Sequence, residues 1–283
     1  MDITIIGVPY DLDELRVGKG LAPETLLHDG LSEQLAAQGH SVALETVTIP
    51  PSAAPRETRI GELAAALAAR VGAARANGRF PLVLGGDCLV ALGAVAGLGR
   101  ADETAIAWID AHGDFNTPAI SVSGYLGGMP LACAVGRGLD EMRAACDLVP
   151  VSEERVALLG ARDLDPLEAE ALRNSRVMVV SSDMLMQGAA ALAEAREVLA
   201  GAAQLYLHID IDVLDQAVAP GVDFPTSGGL AVAHLAEVAR GVAGLGNLAA
   251  VSLTAVNPEK DADGRTARAA LNVLAAVFAS EAR

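Results

Sequence analysis

Short apolar runs alternate along the chain with longer segments rich in Ala, Leu, Glu and Arg. The runs have the length and the Val, Ile and Leu content of β-strands, whereas the longer segments have the periodicity of amphipathic helices. Predicted helices include residues 60–76, 165–174, 188–200 and 231–243. Predicted strands span residues 2–7, 42–47, 81–85, 104–109, 155–160, 176–181, 204–210 and 248–256.

The predicted strands are mostly continuous apolar runs, without alternation between apolar and polar positions. Such runs are typical of parallel strands that have helices on both faces of the sheet. The alternation of strands and helices predicts an α/β fold, either a doubly wound sheet or a closed barrel. A chain of 283 residues could form one large domain or two. In both folds, functional residues gather at the carboxyl ends of the strands.

Residue types that bind metals follow three of the predicted strands, at positions 85–88, 110–114 and 210–212. In the two acidic clusters they alternate, and alternation along extended backbone directs every second side chain to one face. Buried carboxylates need a counter-charge, and oxygen ligands with an imidazole suit Mn²⁺, Fe²⁺, Co²⁺ or Zn²⁺ better than Ca²⁺. A single Asp at a strand end often only caps a helix or turn. Three clusters at equivalent positions instead indicate a metal-dependent hydrolase.

Composition narrows the class of partner. The chain has 36 acidic and 20 basic residues, and its net charge of −16 argues against nucleic acid or an anionic membrane. Three cysteines, an odd number without framework spacing, are typical of a reduced protein. Neither a signal-peptide pattern nor an apolar run of about 18 residues is visible. We therefore expect a cytoplasmic protein that acts on a small molecule, without nucleic-acid or membrane partners.

Seven motifs occur in the order found in the arginase/agmatinase (ureohydrolase) family, which the chain resembles over nearly its whole length. The pair DAHGDFNTP at 110–118 and HIDIDVLD at 208–215 is the most diagnostic. The resemblance implies a three-layer αβα fold with a mainly parallel eight-stranded sheet, and a single domain over residues 1–283. It also implies a two-manganese site that hydrolyses guanidino groups. The other motifs are GGDC (85–88), SGYLGGMP (123–130), GARDLDP (160–166), PGVDFPTSGGL (220–230) and AVNP (255–258).

The resemblance also implies roles for individual residues. Two divalent ions lower the pKa of a shared water, so that hydroxide forms near neutral pH, and Asp114 is the catalytic group that accepts its proton. Mn²⁺ is the expected metal, with Zn²⁺, Fe²⁺ or Co²⁺ as alternatives. The implied bridging ligands are Asp110 and Asp210, those of metal A are Cys88 and Asp114, and those of metal B are His112 and Asp212.

Three further positions match residues of the family that bind the amino-acid end of the substrate. Asn116 and Ser123 would hold an α-carboxylate, and Asp165 would meet an α-ammonium group. Individually they could be a turn Asn, an exposed Ser, and an Asp before a proline that starts a helix. Within one matched motif set, they favour an α-amino acid as substrate.

Three departures from the family pattern affect the chemistry. Cys88 stands where the usual metal ligand is histidine, so a thiolate would add one negative charge and favour Zn²⁺ as a competitor. Cys88 could instead be only a small buried hydrophobe. Gly127 stands where arginases have a proton-shuttling histidine, a role worth about 10²–10⁴-fold. Ala255 stands where they have a glutamate that holds the guanidinium.

Because of Cys88 and the missing histidine, the chain resembles a narrower branch of the family. Members of this branch are amidinohydrolases that convert Nω-hydroxy-L-arginine to hydroxyurea and L-ornithine. An N-hydroxylated guanidine is less basic, so it needs a counter-ion less, and it needs extra room. We therefore expect this substrate. The alternatives are a ureohydrolase of arginase, agmatinase or formiminoglutamase type with another guanidino or formimino substrate, or a non-catalytic metal-binding relative.

Two further expectations concern assembly and one histidine. We favour a monomer over a trimer, because the sequence ends at Arg283, soon after its last predicted helix. His208, two residues before Asp210, should face the same side one pleat deeper. It could support the ligands, donate a proton, or be a core histidine.

Overall fold

The computed structural model describes residues 1–187 and 191–279. Its main sheet has eight parallel strands in the order β4-β1-β5-β10-β9-β6-β7-β8. The short strands β2 and β3 form a separate antiparallel pair. The strands are β1 Asp2–Val8, β2 Tyr10–Asp11, β3 Glu14–Leu15, β4 Ser41–Thr46, β5 Phe80–Gly85, β6 Thr104–Ile109, β7 Val156–Ala161, β8 Met178–Ser181, β9 Gln204–Asp210 and β10 Leu248–Thr254.

Helices cover both faces of this sheet. Alternate residues of one strand enter different apolar clusters, since Ala105, Ala107 and Ile109 pack on one face and Ile106 and Trp108 on the other. This two-sided burial explains why the strands are continuously apolar. The helices are α1 Ala22–His28, α2 Leu31–Ala37, α3 Arg56–Ala76, α4 Val90–Leu98, α5 Pro130–Ala134, α6 Asp140–Ala145, α7 Pro166–Arg173, α8 Ser182–Met186, α9 Ala191–Ala200, α10 Val232–Ala243 and α11 Arg265–Phe278.

The expected three-layer αβα fold is confirmed. Helices α3–α7 contribute to the apolar cluster on one face, and α1, α2 and α8–α11 to the cluster on the other. The sheet is open, with β4 and β8 at its edges, so the closed barrel is excluded. All eight predicted main-sheet strands are present, with ends shifted by at most two residues.

Helix prediction was less complete. The segments 60–76, 165–174 and 231–243 are helical, and the one at 188–200 is helical from Ala191, since 188–190 lie outside the described residues. Helix α4 was missed because almost every one of its residues is buried, which removes the polar face that signals an amphipathic helix. In the parts of the chain that the structure describes, no helix is long and apolar enough to span a membrane.

Candidate functional site

The candidate ligands converge at the carboxyl ends of the central strands β5, β10, β9 and β6, which are neighbours in the sheet. β9 ends at Asp210, and Asp110 directly follows β6. The register pairs Ile109 with Ile209, so these two aspartates stand at the same level of adjacent strands. Cys88 lies three residues beyond the end of β5. Parallel strands thus bring residues that are distant in sequence to one edge.

One group of candidate ligands consists of Asp110, His112 and Asp212, whose ligand atoms lie within 4.8 Å of one another. His112 Nδ1 is 3.1 Å from Asp212 Oδ2 and 3.3 Å from Asp110 Oδ1. The backbone N–H of His112 donates to Asp110 Oδ1 at 2.7 Å, and that of Asp212 donates to Asp210 Oδ1 at 2.8 Å. These local bonds orient the carboxylates.

A second group shares Asp110 and adds Cys88, Asp210 and His208, again with ligand atoms within 4.8 Å of one another. Cys88 Sγ lies 2.9 Å from Asp210 Oδ2. Trp108 Nε1 donates to Asp110 Oδ2 at 3.1 Å, which fixes the carboxylate that both groups share. The two adjoining groups together contain three carboxylates, two imidazoles and one thiol.

His208 supports this second group from the interior of the fold. It is fully buried, and its ring stacks on Trp108 with centroids 3.8 Å apart. Its Nδ1 is 2.8 Å from Ser252 Oγ, and its Nε2 is 3.5 Å from Thr254 Oγ1, which is itself 3.5 Å from Cys88 Sγ. Burial lowers the pKa of His208 to about 3, so its ring is neutral. The stacking and hydrogen bonds suit a supporting residue better than a ligand.

Asp114 lies outside both groups but lines the same cavity. Its Oδ2 is buried and has no hydrogen-bond partner among the described residues. Its backbone φ is +47°, a left-handed conformation that residues other than glycine seldom adopt. Strain of this kind is concentrated at functional sites. An unpartnered buried carboxylate oxygen fits either a metal ligand or a proton acceptor.

The carboxylates of the site cannot all carry charge without a cation. Burial and neighbouring aspartates raise the pKa values of Asp114 and Asp210 well above the usual range of a carboxyl group. Burial also raises the pKa of Asp110 to about 6. Burial opposes protonation of His112, but its hydrogen bonds to Asp110 and Asp212 prevail and raise its pKa to about 12. Two divalent cations would supply the positive charge that allows all of these carboxylates to ionise. The donor set therefore fits a binuclear metal centre.

A cavity of about 470 Å³ opens above the ligands, and its wall contains every predicted substrate-contact residue. Asn116 Nδ2 donates to Asp165 Oδ2 at 3.1 Å, whereas Asn116 Oδ1 is buried without a partner among the described residues. Ser123 is exposed, and its Oγ accepts from the backbone N–H of Tyr125. Asp165 also immediately precedes helix α7, which agrees with its alternative role as the residue before a helix-starting proline.

The positions that depart from the family pattern line this cavity as well. Gly127 belongs to a short 3₁₀ turn at Leu126–Gly128, and Ala255 directly follows β10. Ala255 has a φ of +68°, and its N–H donates to Gly86 O at 2.9 Å. This bond ties the end of β10 to the loop that carries Cys88. The three departures therefore act on one cavity.

Sequence reasoning missed a half-buried arginine that supports the site. The guanidinium of Arg162 bonds the backbone that follows β9, and it thereby holds the segment that carries Asp212. Its position in the motif GARDLDP was visible, but the multiple bonds depend on tertiary structure. The acceptors are the carbonyl oxygens of Asp212, Val213, Leu214, Thr226 and Ser227, at 3.0–3.2 Å.

Sequence reasoning also missed Lys19 and Glu168, which line the cavity. Lys19 is only 4% exposed, and a lysine is almost never buried unless a counter-charge lies nearby. Glu168 accepts from the backbone N–H of Phe115 at 2.9 Å and of Asp165 at 3.2 Å, so it joins two loops of the site. The only local signal for Lys19 was its position between two glycines.

Comparisons with known proteins give the same picture. The model of the arginase family matches residues 1–279. The chain is 32% identical to the arginase of Brevibacillus brevis over 292 residues, covering 98% of this chain and 97% of that protein. It is 33% identical to the arginase of Bacillus caldovelox over 297 residues, with the same coverage.

Solved structures agree with this. The crystal structure of arginase from Bacillus cereus has a TM-score of 0.91, 30% identity and complete coverage of both chains. The native arginase structure from Bacillus caldovelox at pH 5.6 also has a TM-score of 0.91, with 29% identity, and covers 100% of this chain and 99% of the other. With this fold, the two ligand groups and the matched family model, the chain belongs to the arginase family.

Proposed function

We propose that this protein hydrolyses the N-hydroxylated guanidino group of an α-amino acid, converting Nω-hydroxy-L-arginine to hydroxyurea and L-ornithine. The observation that carries the proposal is the cavity wall at positions 127 and 255. Arginases have a histidine and a glutamate at these positions, whereas this chain has Gly127 and Ala255. A guanidinium bound here would therefore have neither side chain as a partner. A less basic N-hydroxyguanidine depends less on a carboxylate partner, and the small side chain of Ala255 leaves room for its hydroxyl group.

The amino-acid end of the substrate would lie against Asn116, Ser123 and Asp165. These side chains contribute an amide, a hydroxyl and a carboxylate to the cavity wall. An α-carboxylate can accept from the first two, and an α-ammonium group can donate to the third. A substrate without a carboxylate, such as agmatine, would leave Asn116 and Ser123 without their ligand. The residue set therefore supports an α-amino acid.

We propose that two Mn²⁺ ions occupy the site, which when bound supply a water-derived nucleophile at neutral pH. The protein positions the carboxylates through backbone N–H groups and Trp108, and Asp114 takes up the proton released as the guanidino carbon is attacked. Asp114 would pass this proton to the leaving nitrogen, so that cleavage of the carbon–nitrogen bond releases the ornithine amine. The proposed ligands are Cys88, Asp110, His112, Asp114, Asp210 and Asp212.

Cys88 would distinguish this centre from one with histidine at the same position. Four carboxylates and one hydroxide against two dications give a charge of −1, and a thiolate makes it −2. Burial and the neighbouring aspartates raise the pKa of the Cys88 thiol, so its ionisation requires a bound cation. A sulfur ligand also makes Zn²⁺, and less so Fe²⁺ or Co²⁺, a stronger competitor for Mn²⁺.

The direct test compares turnover of Nω-hydroxy-L-arginine and L-arginine by the Mn²⁺-loaded protein. Release of L-ornithine measures both reactions, and hydroxyurea identifies the first. We expect a higher kcat/KM for the hydroxylated substrate, and a higher value for L-arginine would refute the proposal. Asp212→Asn, which removes a proposed ligand, is the control for contaminating activity and should turn over neither substrate.

A second candidate is an ordinary arginase activity, which the family membership and the names of the relatives favour. It would require another group to take the place of the missing histidine and glutamate.

The resemblance to the hydroxyarginine branch further suggests a role in D-cycloserine biosynthesis, where that reaction supplies hydroxyurea. Gel filtration of the metal-loaded protein would test the proposed monomer.

A further inference from the structure

The space beside Gly127 is filled by another side chain of the same motif, Tyr125. A Cβ added at Gly127 would lie 2.5 Å from Cε1 and 2.6 Å from Oη of Tyr125. Both residues line the cavity. The absence of a side chain at 127 is therefore no vacancy, because the phenol ring occupies that volume. The tyrosine hydroxyl lies where a side chain at 127 would begin.

Lys19 fixes the orientation of this hydroxyl. Its Nζ donates to Tyr125 Oη at 2.9 Å, and it lies 5.5 Å from the ring centroid of Tyr125 and 5.7 Å from that of Phe224. Asp11 and Asp223 each approach Nζ at 3.4 Å. Contacts on several sides therefore fix the position of the Lys19 ammonium in the cavity wall.

The charge state of the pair follows from its surroundings. Burial lowers the pKa of Lys19, but Tyr125, Asp87 and Asp11 outweigh burial and raise the pKa overall, so the ammonium is charged at neutral pH. Burial raises the pKa of Tyr125, although Lys19 opposes this, so the phenol is protonated. Lys260, 2.8 Å from Asp223, is a further cation next to this cluster, and Arg56 lines a surface pocket together with Lys19 and Tyr125.

A charged lysine has only donors, so it must use a lone pair of the tyrosine oxygen. The phenolic proton is then left to point elsewhere. In the described part of the chain, the bond from Lys19 is the only hydrogen bond of this hydroxyl. Tyr125 therefore has a hydrogen-bond donor that is free to bind an acceptor, at the end of the cavity where Gly127 lies.

We propose that Tyr125 is a specificity-determining residue that donates a hydrogen bond to an acceptor on the distal group of the substrate, and that Lys19 is its positioning residue. A protonated guanidinium has only N–H donors and cannot accept. An N-hydroxyguanidine offers the lone pairs of its hydroxyl oxygen and of a neutral nitrogen. The pair thus selects the hydroxylated over the unmodified guanidine. This inference rests on the proposed function and extends it to the discriminating residue.

The test uses Tyr125→Phe, which keeps the ring beside Gly127 and removes the hydroxyl. The ratio of kcat/KM for Nω-hydroxy-L-arginine to that for L-arginine should fall by about 5- to 150-fold, the range expected for one unpaired buried polar group. The loss should appear mainly for the hydroxylated substrate. An equal loss for both substrates, or no change in the ratio, would overturn the proposal.

Lys19→Met tests the positioning residue, with Lys19→Arg as the conservative variant. Without the ammonium, the hydroxyl can turn and accept, so the same ratio should fall in Lys19→Met and recover in part in Lys19→Arg. A merely structural role would lower activity towards both substrates without changing their ratio. Tyr10→Phe is the matched control, since the Tyr10 hydroxyl accepts from the backbone N–H of Ile49, outside the cavity.

Calorimetry separates failure of this inference from failure of the proposed function. Binding of free N-hydroxyguanidine and of guanidinium to the Mn²⁺-loaded protein reports on recognition without turnover. If the wild type hydrolyses neither amino acid, the proposed function fails. The inference about Tyr125 is still supported if Tyr125→Phe weakens only N-hydroxyguanidine binding, and it is overturned if both ligands bind equally well before and after the change.

Discussion

Gly127→Ala should destabilise the protein because the phenol ring of Tyr125 already occupies the position of the new methyl group. The added Cβ would approach two ring carbons and the hydroxyl oxygen of Tyr125 at 2.5–2.6 Å, well inside van der Waals contact. The ring cannot move freely, since Lys19 binds its hydroxyl and Phe224 packs against it with centroids 5.3 Å apart. Overpacking of this kind typically costs about 1–3 kcal/mol.

Gly128→Ala is the matched control for this prediction. A Cβ at Gly128 has no neighbour within 4 Å, and the φ of neither glycine lies in the left-handed region. In Tyr125→Ala, the overlap at Gly127 disappears, so adding the methyl group there should be neutral or stabilise by about 0.4–1 kcal/mol through the unfolded state. The double-mutant cycle should therefore show a coupling of at least about 1 kcal/mol.

Urea unfolding of the metal-loaded variants, followed by circular dichroism, measures these free energies. The reasoning is refuted if Gly127→Ala and Gly128→Ala are equally stable, or if Gly127→Ala has the same cost with and without the Tyr125 ring. The same geometry implies that Gly127→His alone would not create an arginase-like wall. The histidine would first have to displace the tyrosine.

Three further predictions concern the metal site and its support. With Co²⁺ bound, the wild type should show a near-ultraviolet thiolate-to-metal absorption that is absent in Cys88→Ser; equal spectra would exclude sulfur ligation. The folded-state pKa of His112, about 12, exceeds its ordinary value, so the chelated protein should lose stability as pH rises from about 6.5 to 8, whereas below that range the raised pKa of Asp110 and the lowered pKa of His208 act in opposite directions. With Mn²⁺, which binds the deprotonated ligands, the trend should reverse, and scanning fluorimetry at pH 6.5 and 8 with and without the metal tests both signs. Arg162→Lys should destabilise by about 1.5–3 kcal/mol, because an ammonium cannot reproduce the planar guanidinium's bonds to the carbonyl oxygens; urea unfolding that matches the wild type would contradict this.

The sequence by itself determined the strands and the candidate ligands. Each main-sheet strand is a local apolar run whose burial on both faces requires continuous Val, Ile, Leu and Ala, so its position could be read directly. The ligand motifs follow these runs at fixed distances, but the predicted alternation along extended backbone does not hold after Asp210, where Ile211–Val213 form a 3₁₀ helix. Local chemistry and a resemblance were sufficient there.

Only the tertiary structure decided how the departures from the family pattern are compensated. Lys19 and Tyr125 are 106 positions apart, and they meet because the turn after β3 folds over the loop that contains Gly127. His208 stands behind Cys88 only because β9 and β10 are neighbours in the sheet, which brings Thr254 between them. Such contacts depend on strand order and loop packing, which no local pattern encodes. The sequence could therefore show that Gly127 lacks a side chain, but only the fold shows what fills its place.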